Sequence, residues 1–165
     1  MNAEHERETR IFVWPVRVYY EDTDSGGVVY YANYLKFMER ARSEWLRHCG
    51  IEQDELIRQY DVIFAVRAVQ ADYRRPARFN DLLAVTAELS ELGRASISFT
   101  QHVLRLGAAS SNLTGFIAPA IYQRMLADSD NRLCLGQIKI ACLKASTLRP
   151  CPIPTHLIAE ITRVG

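Results

Sequence analysis

The run YYEDTDSGGVVYYANYLKF, from Tyr19 to Phe37, places the acids Asp22 and Asp24 and the glycines Gly26 and Gly27 just ahead of an apolar pattern of helical period. A carboxylate can attack a carbonyl carbon or take a proton from water. The N–H groups of a first helical turn lack intrahelical acceptors, carry partial positive charge and can hold an oxygen that becomes negative during a reaction. Gly26 and Gly27 have no Cβ, so a ligand can approach the backbone there. A carboxylate beside such amides suits acyl transfer or hydrolysis. Asp and Gly are also ordinary turn residues, and an Asp ahead of a helix is most often a cap that interacts well with its dipole. The residues alone leave both readings open.

Other devices are missing from the sequence. There is no G-x-S-x-G nucleophile elbow, no G-x-x-x-x-G-K phosphate loop and no G-x-G-x-x-G dinucleotide fingerprint. Asp22, Asp24 and Gly27 match the start of a calcium loop, but Gly26 stands where an oxygen ligand belongs and Asn33 where the bidentate Glu belongs. The four cysteines, Cys49, Cys134, Cys142 and Cys151, contain no C-x-x-C pair, and the four histidines are scattered. Zinc spacing is therefore absent and no metal is expected. The thiols read as reduced and structural. His48 and His102 read as ordinary surface or partly buried residues, Trp45 and Met38 as core, and the Asn112-Leu113-Thr114 sequon as chance.

The elements that must position Asp24 follow from periodicity. Phe12, Trp14, Val16, Val18 and Tyr20 alternate as in a half-buried strand. Ala32, Leu35, Met38, Ala41, Trp45 and Cys49 step by three and four, drawing one stripe along a helix that stops at the C-cap candidate Gly50. Seventeen residues at ~1.5 Å each make this helix about 26 Å long. A short polar helix around Gln53–Gln59 follows, then DVIFAVRAVQADY, whose nearly continuous apolar run predicts a strand covered on both faces. LLAVTAELSEL, with Leu83, Val85, Ala87 and Leu89 on one face, and SISFTQHVL read as a hairpin turning at Leu92–Arg94. QIKIACL supplies a further strand, and THLIAEI a last short helix with Thr155 as its cap. Between Leu106 and Arg132 the pattern fails over a stretch too long for a hairpin loop.

At 165 residues the chain fits one domain, 1–165, with an atypical insert at about 106–132. With 48% hydrophobic and 24% charged residues the composition is that of a soluble globular protein. No apolar run reaches the roughly 20 residues of a membrane helix. MNAEHERETR does not read as a secretory signal, so a cytoplasmic location is expected. A net charge of +1 gives no global attraction to nucleic acid or an anionic membrane. The element order implies an α+β arrangement in which an antiparallel sheet of about five strands wraps one long helix.

The stretch VRVYYEDTDSGGVVYYANYLKFMERARSEWL resembles the signature of the hotdog-fold acyl-CoA thioesterases of the 4-hydroxybenzoyl-CoA thioesterase family and, within it, the Tol-Pal-associated YbgC branch. The resemblance runs from about Phe12 to Leu104, including YRRPARFND, and resumes from Gly136 to Ile161. It implies the hotdog fold and hydrolysis of an acyl-CoA to free acid and CoA. No separate cofactor is implied, since coenzyme A is part of the substrate. Asp24 takes the place of the catalytic carboxylate, as nucleophile or general base, and the backbone N–H of Tyr31 that of the oxyanion donor. Gly26 and Gly27 fall in the substrate-binding loop, and Arg94 and Ser96 match positions that contact coenzyme A. Arg74, Arg75 and Arg78 are further cations for its phosphates, and Phe64 and Val66 candidates for the acyl pocket. The branch commonly has His where this chain has Tyr31. The implied partners are a second copy in a homodimer or homotetramer, with an acyl carrier protein or Tol-Pal link. A noncatalytic acyl-carrier or Tol-Pal complex binding module, and another hotdog activity such as a dehydratase, are the alternatives; the lack of a His near Asp24 counts against the dehydratase.

Overall fold

The computed structural model describes residues 10–110 and 112–164. Its strands are β1 (Ile11–Arg17), β2 (Val62–Tyr73), β3 (Leu82–Leu92), β4 (Ser96–Arg105), β5 (Gly115–Ile117) and β6 (Arg132–Lys144). Its helices are α1 (Tyr31–His48), α2 (Gln53–Tyr60), α3 (Pro119–Ala127) and α4 (Thr155–Val164). The strands form one sheet in the order β2-β6-β4-β3-β1-β5, and every pairing is antiparallel. The sheet wraps α1, which is the hotdog arrangement. It has six strands rather than about five, because the insert contributes β5.

Helix α1 forms where the apolar residues step along one face, and it buries Tyr34, Phe37, Met38, Ala41 and Trp45. The expected stripe is turned slightly: Leu35 and Ala32 lie at its margin, and Tyr34 and Phe37 take the centre. Trp45 meets Phe99 of β4 edge-on at 5.0 Å between ring centres. Two bonds close the helix, Gly50 N–H to Arg47 O at 2.9 Å and Ile51 N–H to Leu46 O at 3.0 Å. This paired closure needs a left-handed residue, and Gly50 supplies it at φ +81°. Arg42, one turn from both Met38 and Trp45, is also buried, and its Nη1 donates to Oε1 of buried Gln101 at 2.8 Å. Gln101 Nε2 in turn donates to the carbonyls of Met38 and Thr86.

Two expectations are corrected, and one open stretch takes shape. First, β2 is not covered on both faces: it is the terminal strand of the sheet, and Val66, Val69 and Tyr73 are exposed. An apolar run signals burial only in the final assembly, and a single chain leaves this margin open. Second, the 106–132 segment, where the sequence pattern fails, adds a strand and a helix to the fold. Strand β5 pairs with Ile11, Phe12 and Val13 of β1, and α3 folds back over the sheet face opposite α1. There Ile11, Val13, Ala84, Leu104, Ile117 and Tyr122 form a second apolar cluster. Third, Thr155 is inside α4, and the Pro154 carbonyl accepts from Leu157 and Ile158 at its start.

Candidate active site

Residues 23–29 form a small hairpin that delivers the chain into α1. Thr23 bridges Val29, Asp24 N–H donates to Val28 O at 2.9 Å, and Gly27 N–H to Asp24 O at 3.0 Å. Gly27 sits at φ +74°, open to glycine and strained for other residues. The carboxylate of Asp24 turns back on its own loop, Oδ1 accepting from Gly26 N–H at 2.8 Å. A Cβ on Gly26 would stand 3.1 Å from that oxygen and crowd it. The other oxygen of Asp24 has no hydrogen-bond partner among the described residues, and the side chain is exposed.

The helix entry is held from several sides. Tyr30 N–H and Asn33 Nδ2 both donate to Asp22 O, at 3.0 and 2.9 Å. Val29 N–H donates to Ala77 O, while Ala77 N–H donates to the hydroxyl of Tyr34, both at 2.9 Å. Tyr73 of β2 donates to Tyr31 O at 3.0 Å. Burial pushes the Tyr34 and Tyr73 hydroxyls above the usual tyrosine range. Neither Asp22 nor Asp24 caps α1. Asp22 Oδ2 accepts from Tyr19 N–H, and the N-cap residue Tyr30 makes no side-chain cap bond. Tyr31 is the first helical residue, and among the described residues nothing accepts its N–H. The positive end of the helix is open.

Two hollows lie nearby. One of about 250 Å³ is bounded by Val29, Tyr31, Tyr34, Tyr73, Arg74 and Arg75. Another of about 300 Å³ lies between α1 and β2, with Leu35, Val66, Val69 and Ile138 around it. Val66 therefore faces a cleft, whereas Phe64 packs against the core. A larger hollow of about 520 Å³ among Ser110, Leu113, Ile121 and Arg124 belongs to the insert and shares no residue with these. Arg74 pairs with Asp72 at 2.8 Å and Arg75 with Asp130 at 2.6 Å, so both cations already face carboxylates. Arg78 and Arg94 have no ion-pair partner among the described residues.

The structure groups Asp24, Gly26, Gly27 and Tyr31 on one hairpin and helix start, and it separates them from Arg94 and Ser96. Arg17 pairs with Leu82 and Val18 bonds Asp81, so the Asp24 loop leaves from the Leu82 end of β3. Arg94 lies in the turn after Leu92 and Ser96 opens β4, at the other end. Ten residue steps at ~3.3 Å put about 30 Å between those ends. Sequence reasoning missed Tyr73 and Tyr34; the pairing of aromatic hydroxyls with the backbone of a distant segment leaves no local pattern. Among the described residues, no three His, Cys, Asp or Glu side chains are grouped to hold a metal ion, and no helix is long and apolar enough to cross a membrane.

Residues 26–110 match the family model of the thioesterase superfamily, a span that takes in Tyr31, Arg94 and Ser96. The chain belongs to the thioesterase superfamily. It is thereby a thioester hydrolase by family. It is 35% identical to the acyl-CoA thioester hydrolase YbgC of Escherichia coli O6:H1 over 153 residues, 92% of this chain and 96% of that one. It is 36% identical to the acyl-CoA thioesterase YbgC of Haemophilus influenzae over 148 residues, 90% and 92% of the two chains. Among solved structures, a probable thioesterase from Bartonella henselae superposes with a TM-score of 0.68 at 28% identity, covering 87% of this chain and 99% of that one. A 4-hydroxybenzoyl CoA thioesterase mutant complexed with 4-hydroxybenzoyl CoA gives 0.73 at 15% identity, covering 92% and 99%, and shares the fold.

Proposed function

We propose that the protein hydrolyses an acyl-CoA thioester to a free acid and coenzyme A, with Asp24 and the Tyr31 N–H at the reacting carbonyl. The observation that carries this reading is the pairing of an exposed carboxylate, one oxygen free, with an uncapped helix start a few residues later. The thioester carbonyl oxygen accepts from Tyr31 N–H, which the helix dipole makes a better donor as charge builds. Asp24 then attacks the carbonyl carbon, or takes the proton of a water that does. The carbon–sulfur bond breaks, the thiolate leaves as coenzyme A and takes a proton, and water completes the acid. Gly26 keeps the carboxylate oriented through its N–H. Val66 and its neighbours in the α1–β2 cleft offer the acyl chain an apolar surface.

Coenzyme A contacts at Arg94 and Ser96 are supported by the geometry only if a second copy supplies them. Tyr73, at one end of β2, adjoins the helix start, and Lys144 pairs with Val62 at the other, next to the segment that holds the Arg94 turn. Antiparallel pairing of two β2 margins about a two-fold axis sets the Asp24 loop of one copy beside the Arg94 turn of the other. A homodimer is thus part of the proposal. The test is release of the coenzyme A thiol from short, long and aromatic acyl-CoAs by wild type and Asp24→Asn. A loss on the order of 10² or more in kcat is expected for Asp24→Asn. Equal rates would remove Asp24 from the reaction, and no release by wild type from any acyl-CoA would favour a binding module instead.

A further inference from the structure

We propose that Cys142 and Cys151 are a redox pair, closing to a disulfide that locks the segment after β6 against the sheet and disturbs the Arg94 turn. Beyond the start of β4, the segment 149–151 takes that strand's place beside β6. Lys144 N–H donates to Arg149 O at 2.9 Å, Leu143 bridges Pro150, and Cys151 N–H donates to Cys142 O at 3.0 Å. Cys142 and Cys151 are therefore cross-strand neighbours, and their Sγ atoms stand 3.7 Å apart. A disulfide requires about 2.05 Å, so the sulfurs must close by about 1.6 Å. Cys151 lies in irregular chain between Pro150 and Pro152, and that side moves more easily than a central strand.

The two thiols divide the chemistry. Cys142 is fully buried, and burial with the neighbouring thiol pushes it up to about 12. Cys151 is only half-buried, so a small disulfide oxidant such as oxidised glutathione reaches it first. The Cys151 thiolate attacks one sulfur of the oxidant and expels a glutathione thiolate, leaving a mixed disulfide. Cys142 then attacks Cys151 Sγ, the second glutathione leaves, and the two thiol protons end on the two reduced glutathiones. Cys49 and Cys134 are buried, burial pushes each up to about 12, and no second thiol is paired with either among the described residues.

The pair sits directly beside the candidate coenzyme A turn. Cys142 N–H donates to Ala95 O and Ile153 N–H to Arg94 O, both at 2.8 Å. Drawing Cys151 toward β6 pulls the peptide that grips the Arg94 carbonyl two residues on. Oxidation therefore weakens coenzyme A thioester binding, a consequence that rests on the function proposed above.

The test incubates the folded wild type and Cys151→Ser with oxidised glutathione, maps the products by peptide mass, and measures acyl-CoA hydrolysis before and after. Expected is a wild-type species lighter by two hydrogens with Cys142 and Cys151 joined, no such species for Cys151→Ser, and a several-fold rise in KM that a thiol reductant reverses. A stable glutathione adduct on Cys151, or a link between other cysteines, overturns the pair. A Cys142–Cys151 link with unchanged KM overturns the coupling to the Arg94 turn. Reduced wild type that hydrolyses no acyl-CoA at all refutes the function, while the peptide map still decides the pair.

Discussion

Replacing Tyr122 tests whether the 106–132 segment is a structural layer or an appendage. The ring is 5% exposed and packs with Ile11, Val13, Ala84, Leu104 and Ile117 on the outer sheet face. Its hydroxyl meets Nδ1 of His102 at 2.7 Å. Tyr122→Phe keeps the ring and strands the imidazole nitrogen, costing about 1 kcal/mol, rising toward about 3 if the nitrogen finds no water. Tyr122→Ala removes the ring as well and should cost about 3–5 kcal/mol, the range for large aromatic truncations. For a chain of 165 residues, each kcal/mol moves the melting temperature by about 2–4 °C. The expected drops are thus about 2–4 °C for the minimal Phe effect and about 6–20 °C for Ala. Thermal melts followed by circular dichroism, at one fixed protein concentration because association adds to apparent stability, measure both. Thioester hydrolysis by Tyr122→Phe at 25 °C should match wild type, since Tyr122 lies on the face away from α1. A Tyr122→Ala protein within about 1 kcal/mol of wild type would refute the layer, because no packed aromatic is lost so cheaply.

The remaining predictions concern buried polar groups. His102 is held down to about 4, chiefly by burial and then by the charges of Arg74 and Arg132. With an unfolded value of about 6.5, the unfolded chain takes up the proton first. Its contribution is therefore intact above about pH 6.5 and lost as pH falls toward 4, and His102→Gln should flatten that part of a melting-temperature profile. Identical slopes for the two proteins between pH 6.5 and 5 would refute this. Gln101→Leu takes the acceptor from buried Arg42, held down to about 10 by desolvation, and should cost about 3 kcal/mol in urea unfolding. Adding Arg42→Met should return most of that loss, and additive costs in the double mutant would contradict the coupling.

Strand β1, the long helix and the β3–β4 hairpin were legible because each answers to a local period of two or of three to four. The hairpin glycines and Asp24 were legible as a turn before a helix, and the structure shows the carboxylate serving the turn rather than capping. Three things lay beyond local pattern. Ala84 and Thr86 are as buried as Leu83 and Val85; alternation describes one covered face, and only the folded insert shows the second. Arg42 falls in register with Met38 and Trp45, but a charged residue on a core stripe reads as an interruption until Gln101 is seen opposite it. The distance between Asp24 and Arg94 is fixed by the length of β3, which sequence separation does not reveal.

The two margins of the sheet differ in kind. At one, β2 offers 12 residues with an open backbone row; at the other stands β5, only 3 residues long. Fibre growth by strand addition needs a long sticky edge at both ends of every building block. A molecule with one such edge joins by strand addition only once, so the β2–β2 pairing proposed above does not propagate into a fibre.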